Sequence, residues 1–188
     1  MGRWQPNARG RLEEAALALY GERGFEKTTV AEIAARAGLT ERTFFRYFAD
    51  KREVLFAGSA LLQDMLTDAV AAAPASAAPL DATAGALETI AAVFAGRREH
   101  SRHRQAVIDA NTELRERELI KLATMASALA DALRRRGVPD PAATLTAEAG
   151  IAVFKVAFER WLNAPDDKEF PDRIQESLDE LKTLTNPA

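Results

Sequence analysis

The sequence predicts an all-α fold, and three observations carry that prediction. Apolar residues recur at three- and four-residue steps along almost the whole chain, and no segment alternates over strand length. Alanine, the residue with the best helix propensity, fills 39 of 188 positions. The periodic runs are bracketed by suitable end residues: Thr29, Thr40 and Asp50 stand ahead of them, and Gly24, Gly38 and Gly137 behind.

Taken in order, a first helix is expected over about Ala8 to Arg23, with Leu12, Ala15, Ala16 and Leu19 on one face. Gly24 stops it and Phe25 returns to the core. Thr29 caps a short second helix carrying Ile33 and Ala34, Glu32 completes a capping box, and Gly38 ends the helix. Thr40 caps a third helix with Thr43, Phe44 and Tyr47 that stops near Ala49. Asp50 then opens a long fourth helix containing Val54, Leu55, Leu61, Leu62, Met65 and Leu66. The stretch from Ala71 to Leu80, interrupted by Pro74 and Pro79, reads as a linker. Helices follow over about Asp81 to Arg98, Arg102 to Asp109, Asn111 to Arg136, Pro141 to Trp161 and Pro171 to Leu184, about nine in all. Two domains are expected, residues 1–52 and 53–188.

Composition excludes several classes. With 47% apolar and 28% charged residues the chain can bury a core. Without cysteine, disulfides, thiolate metal sites and cysteine nucleophiles are excluded. The longest charge-free run, Ala69 to Leu80, has 12 residues and contains Pro74, which is too short to cross a bilayer. Arg3, Arg9, Arg11 and Glu13 stand where a signal peptide needs its apolar segment, so the expected location is the cytoplasm, without membrane contact. No glycine-rich phosphate loop, HExxH pair or nucleophile elbow around Ser59 is found, so neither an enzyme nor a cofactor is expected. His100 and His103 are spaced for one helix face, but Arg97, Arg98, Arg102 and Arg104 surround them and repel a cation, so no metal site is expected. The net charge of −3 divides into +3 over residues 1–52 and −6 over residues 53–188. A mildly basic head on an acidic body is compatible with nucleic acid bound at one end.

Residues 24–56, GFEKTTVAEIAARAGLTERTFFRYFADKREVLF, read as helix, tight turn and helix. Gly38 suits the left-handed conformation of the turn. Ile33, Ala34, Ala37 and Leu39 can pack inward with Phe44 and Phe48. That leaves Glu41, Arg42, Thr43, Phe45, Arg46 and Tyr47 outside. Aromatics beside arginines suit a helix in a major groove, where arginine pairs with guanine and apolar edges meet thymine methyls. An ordinary helical hairpin with a solvated face is the plainer alternative.

The segment resembles the N-terminal DNA-binding domain of the tetracycline-repressor (TetR) family of bacterial transcriptional regulators. The resemblance rests on Ala15-Ala16, Leu19-Tyr20, Gly24-Phe25, Thr28-Thr29-Val30, Ile33-Ala34, Ala37-Gly38, the run Thr43 to Phe48, Lys51 and Val54-Leu55, without a gap over residues 8–56. It implies that Thr29 caps the second helix near a DNA phosphate, with Val30 and Ala31 at the groove edge. It further implies that Glu41, Arg42, Thr43, Phe45, Arg46 and Tyr47 form the recognition helix, and that Lys51 holds a backbone phosphate. The family usually has tyrosine where this chain has Phe45 and often histidine at Tyr47, so the phosphate-bonding hydroxyl is expected one position later, from Tyr47. Met1–Asn7, with Arg3 and Trp4, reads either as a loose tail or as a minor-groove arm.

The C-terminal part resembles the family in architecture, which implies a helical ligand-binding and dimerisation domain. From Ile151 to Leu162 the chain is apolar nearly all round, as in a helix covered by its own domain and by a partner, or in a central core helix. Candidate residues for an apolar effector pocket are Leu62, Met65, Leu87, Ile90, Phe94, Val107, Leu122, Met125, Phe154 and Phe158, with His103 as a polar handle. The expected function is a ligand-responsive repressor, a homodimer on palindromic double-stranded DNA released by a small-molecule effector. The alternative is an effector-independent architectural protein.

Overall fold

The computed structural model describes residues 7–185. Among them are nine α-helices, two short 3-10 turns and no strand, so the all-helical expectation holds. The helices are α1 (Ala8–Arg23), α2 (Val30–Arg36), α3 (Glu41–Tyr47), α4 (Ser59–Ala72), α5 (Pro79–Ala91), α6 (Arg98–Asp109), α7 (Thr112–Arg135), α8 (Ala142–Asn163) and α9 (Phe170–Thr185). The expected arm lies in residues 1–6, outside the described residues, except for Asn7, which caps α1 by accepting from Gly10 N.

Two expectations about helix bounds are corrected. Asp50 does act as a cap, accepting from Arg52 N at 2.8 Å and Glu53 N at 3.2 Å, but it opens a 3-10 turn, Glu53–Phe56, and not α4. That turn carries three consecutive buried side chains, Val54, Leu55 and Phe56. Likewise α5 gives way to a 3-10 turn, Ala92–Phe94, and Gly96 at φ +67° ends the segment, so α6 begins at Arg98. The linker is shorter than expected because Ala71 and Ala72 complete α4. Arg136 closes that helix, donating to the carbonyls of Val70 (2.9 Å), Ala73 (2.7 Å) and Pro74 (2.7 Å).

The chain divides into two compact units. The first holds the described residues up to Gly58 together with Arg102–Glu118, and the second holds Ser59–Ser101 and the described residues from Leu119 onward. Residues 53–58 and 102–118, the greater part of α6 and the first residues of α7, thus group with the N-terminal helices, across the 52/53 boundary drawn from the sequence. The physical reason is that Val107, Ile108 and Leu114 share a core with Leu12, Ala16, Tyr20, Phe25, Ile33 and Phe44.

In the second unit α5 packs against α4, α8 and α9. Leu66, Val70, Leu87, Ile90, Leu129, Leu133, Ile174 and Leu178 are buried in its core. Gly150 allows α8 to approach closely, since a Cβ there would lie 2.6 Å from Thr83 Cγ2. By length and composition alone Glu53–Ala72, at a mean hydropathy of 1.3, would pass for a membrane-crossing helix. It is interrupted by a turn at residues 57–58 and buries Leu66 and Val70 fully.

Candidate nucleic-acid interface

The first unit is built to hold two seven-residue helices, each too short to persist alone. Their ends are therefore tied. At Thr29 the capping box is complete: its hydroxyl accepts from Glu32 N at 3.2 Å, and Glu32 Oε2 accepts from Thr29 N at 2.9 Å. These contacts hold the Glu32 carboxyl below its usual value, with the Thr29 backbone bond the main cause. Gly38, at φ +64°, closes α2 in a Schellman turn, with Leu39 N donating to Ala34 O (2.8 Å) and Gly38 N to Ala35 O (3.0 Å). Thr40 caps α3, accepting from Thr43 N at 3.2 Å.

The sequence of α3 then sorts its side chains. Phe44 is fully buried, and its ring meets Phe48 at 5.4 Å. Phe45, the next residue, is 56% exposed, and Tyr47 41%. Glu41, Arg42 and Arg46 are exposed with them, and Thr43 is half-buried beside the Thr40 hydroxyl. Arg46 lies over the Tyr47 ring, 4.9 Å from its centroid, and donates to its hydroxyl at 3.1 Å. On α2, Thr29 and Ala31 are exposed and Val30 is half-buried.

Charge separates these arginines from their neighbours. Arg9 pairs with Glu13, Arg23 with Glu32, Arg52 with Asp50, and Arg36 bidentately with Glu22 at 2.6 and 2.5 Å, while Arg11 donates to Ala37 O. Arg42 and Arg46 have no carboxylate partner among the described residues, and neither does Lys27, which sequence reasoning passed over. Its one sequence signal is a cation directly before Thr28-Thr29.

Lys51 is placed otherwise. Its ammonium donates to Phe25 O (2.9 Å) and Thr28 O (3.0 Å), with Glu26 O at 3.3 Å, and lies 4.4 Å from the Phe25 ring centroid. The Tyr20 hydroxyl donates to Lys51 O at 2.6 Å, and burial raises the pKa of that phenol.

The expected pocket residues fall in two places. Leu87, Ile90, Met125 and Phe154 are buried in the second unit's core, and Leu62, Met65, Phe94, Leu122 and Phe158 pack against it. Val107 belongs to the first unit's core, and exposed His103 stands over Gly21 of α1, its Nε2 2.4 Å from where a Cβ would sit. Five aromatic rings, Phe94, Phe154, Phe158, Trp161 and Phe170, meet at centroid distances of 5.3 to 6.5 Å. The Trp161 indole N–H is buried there without an acceptor.

Comparison with known proteins agrees with this geometry. Residues 12–57 match the family described as bacterial regulatory proteins, tetR family, and residues 77–186 match the MftR C-terminal domain, a TetR C-terminal family. The HTH-type transcriptional regulator TcmR of Streptomyces glaucescens is 37% identical over 82 residues, 44% of this chain and 36% of TcmR. The HTH-type transcriptional regulator BetI of Rhizobium meliloti is 38% identical over 76 residues, 40% of this chain and 37% of BetI. These alignments thus span little more than a third of either relative. The SmeT–triclosan complex superimposes with a TM-score of 0.67 at 19% identity, over 95% of this chain and 90% of SmeT. SmeT is the repressor of the Stenotrophomonas maltophilia multidrug efflux pump SmeDEF.

Proposed function

This chain belongs to the tetR family of bacterial regulatory proteins, and we propose that it is a ligand-responsive DNA-binding transcriptional regulator, a repressor working in the cytoplasm. The observation that carries the reading is the outward face of α3. Arg42 and Arg46 lie four residues apart without a carboxylate partner among the described residues, beside exposed Phe45 and Tyr47, while Phe44 anchors the helix from behind. Placed in a major groove, the two guanidiniums read base edges or clamp phosphate, and Phe45 meets thymine methyls. Thr43, Glu41 and the Tyr47 hydroxyl complete the face, and Thr29, Val30 and Ala31 flank it on α2.

The regulator acts as a homodimer on a palindromic operator, because a seven-residue recognition helix reads too few base pairs alone. Residues 1–52 carry the DNA contact and 53–188 ligand binding and dimerisation. Leu145 and Val156 of α8, 66% and 49% exposed, support α8 and α9 as the contact between copies. A small-molecule effector that binds better to a second arrangement of the helices shifts the population away from the DNA-competent one. The Trp161 N–H, buried without an acceptor among the described residues beside the rings of Phe94, Phe158 and Phe170, supports an effector held in the second unit. No metal or cofactor enters this reading.

Footprinting with a duplex selected from a random-sequence pool tests it. Protection of a palindrome is expected, and Arg46→Ala should lower affinity by about 1–3 kcal/mol and relax base preference without unfolding the chain. Binding that depends steeply on salt but on no sequence would favour the architectural alternative. Sedimentation as a monomer at micromolar concentration would remove the palindromic geometry.

A further inference from the structure

We propose that Arg46 selects a guanine in the operator, and that Tyr47 is the positioning residue that holds the Arg46 guanidinium in register for it. The proposal deepens the DNA-binding reading above and rests on it. Arg46 has no carboxylate partner among the described residues, so its charge is left for a ligand. Its guanidinium is nevertheless tethered. The central carbon lies 4.9 Å from the Tyr47 ring centroid, and Nη2 donates to the Tyr47 hydroxyl at 3.1 Å. A cation against a ring, tied by a hydrogen bond at the ring's far end, is restricted in both place and tilt. Arg42, one turn earlier and also exposed, has no ring or hydroxyl against it among the described residues.

Orientation separates base reading from phosphate binding. A phosphate accepts a point charge from many directions, whereas guanine offers O6 and N7 side by side and takes two parallel N–H bonds from one guanidinium edge. A guanidinium has five N–H groups, arranged as two such edges, Nη2 with Nη1 and Nη2 with Nε. Nη2 gives one of its two protons to Tyr47, which leaves one edge whole. Adenine would meet that edge with an amino group where guanine has O6. A fork already held by a neighbouring ring also loses less side-chain freedom on binding.

Tyr47 remains able to bind the duplex itself. Its hydroxyl accepts from Arg46 and still has its own proton to donate. The phosphate bond that the resemblance implies for Tyr47 and its support of Arg46 are therefore compatible, and together they would set the fork against the base edges.

The probe is a duplex enriched from a random-sequence pool by the full chain, with each base pair of the enriched site then replaced in turn. One guanine is expected whose replacement by adenine weakens binding about 5- to 150-fold, and whose replacement by 7-deazaguanine, which lacks the N7 acceptor, also weakens it. Arg46→Lys keeps the charge without the fork, so it should abolish that preference while leaving the slope of log affinity against log salt unchanged. Tyr47→Phe keeps the ring without the hydroxyl. It should reduce the preference at the same base pair and have no effect on it in an Arg46→Lys background. A lost phosphate bond is told apart, because it weakens all sequences alike. Both side chains are exposed, so the melting temperatures should match that of the parent.

Full preference for guanine in Arg46→Lys, or an Arg46→Ala variant that weakens all sequences alike, would overturn the assignment of Arg46. Full preference in Tyr47→Phe would overturn that of Tyr47. A chain that enriches no duplex would instead remove the DNA-binding reading beneath both.

Discussion

The two units solve the problem of holding helices together in different ways. In the first, α2 and α3 have seven residues each and are secured by polar ties: a capping box at Thr29, a hydroxyl cap at Thr40, a left-handed Gly38, and a lysine clamped on three carbonyls. In the second, α8 runs to 22 residues and, with the part of α7 from Leu119 onward, is held mainly by apolar packing that includes Trp161 and its neighbouring rings. Because caps and tethers carry so much of the order in the first unit, the outward side of α3 has no structural duty. Its exposed aromatics and unpaired arginines therefore stand out. In the second unit the residue types that build the core are also those that would line an effector site, and no such separation is available.

The sharpest test of that contrast sets two adjacent phenylalanines against each other. Phe44→Ala should cost about 3–5 kcal/mol in urea unfolding. Phe45→Ala should stay within about 0.5 kcal/mol of the parent while weakening operator binding in a gel shift. Equal destabilisation by both would mean that the outward face is structural after all.

A glycine from each unit comes next. Gly150→Ala places a methyl group 2.6 Å from Thr83 Cγ2, backed by Leu129 Cδ2 at 3.4 Å. Melting should register about 1–3 kcal/mol of overpacking. At Gly38 the strain is in the backbone, where alanine at φ +64° should lose about 1–2 kcal/mol. A neutral result at Gly150 would show that α8 can slide on α5.

Thr29→Ala removes one side of the capping box and should cost about 1 kcal/mol, with hydrogen exchange rising first along α2. Uniform exchange across the unit would argue that α2 is held by packing alone.

The smallest effect is electrostatic. The Arg52 guanidinium bound to Asp50, with backbone N–H groups adding to it, holds the Asp50 carboxyl below the usual aspartate range. A depressed carboxyl contributes stability above its unfolded value of about 3.9, and that contribution is lost as pH falls through the depressed folded value. Asp50→Asn keeps a capping oxygen without the charge, so it should lose about 1 kcal/mol or less near neutrality, as exposed pairs do. The gap to the parent should close below pH ~4. A gap that persists in acid would assign the effect to capping geometry.

Much of this is legible in the sequence, for a reason visible in the particular residues. Period alone places Leu12, Ala16, Leu19, Ile33, Ala34, Phe44 and Phe48 inside, and they are inside. Thr29, Glu32 and Gly38 read as ends because their chemistry acts on backbone within a few residues. Two features escape such reading. The fourth helix begins only at Ser59, after a 3-10 turn whose Val54, Leu55 and Phe56 share a core with Val107, Ile108 and Leu114, far along the chain. The engagement of Lys51 depends on carbonyls of residues 25 to 28, and a sequence gives no account of where a carbonyl points.

By itself, then, the chain of letters determined that the fold is helical, the caps at Thr29 and Thr40, the buried stripe of the N-terminal helices and the solvent-facing strip of α3, since all of these arise from interactions within one or two helical turns. Only the folded structure decided which cations were already neutralised and which were left for a partner. It also decided that residues 102–118, where α6 meets α7, share the core of the N-terminal helices. Pairings of that kind join residues far apart in sequence, and their energies depend on distances that periodicity does not contain.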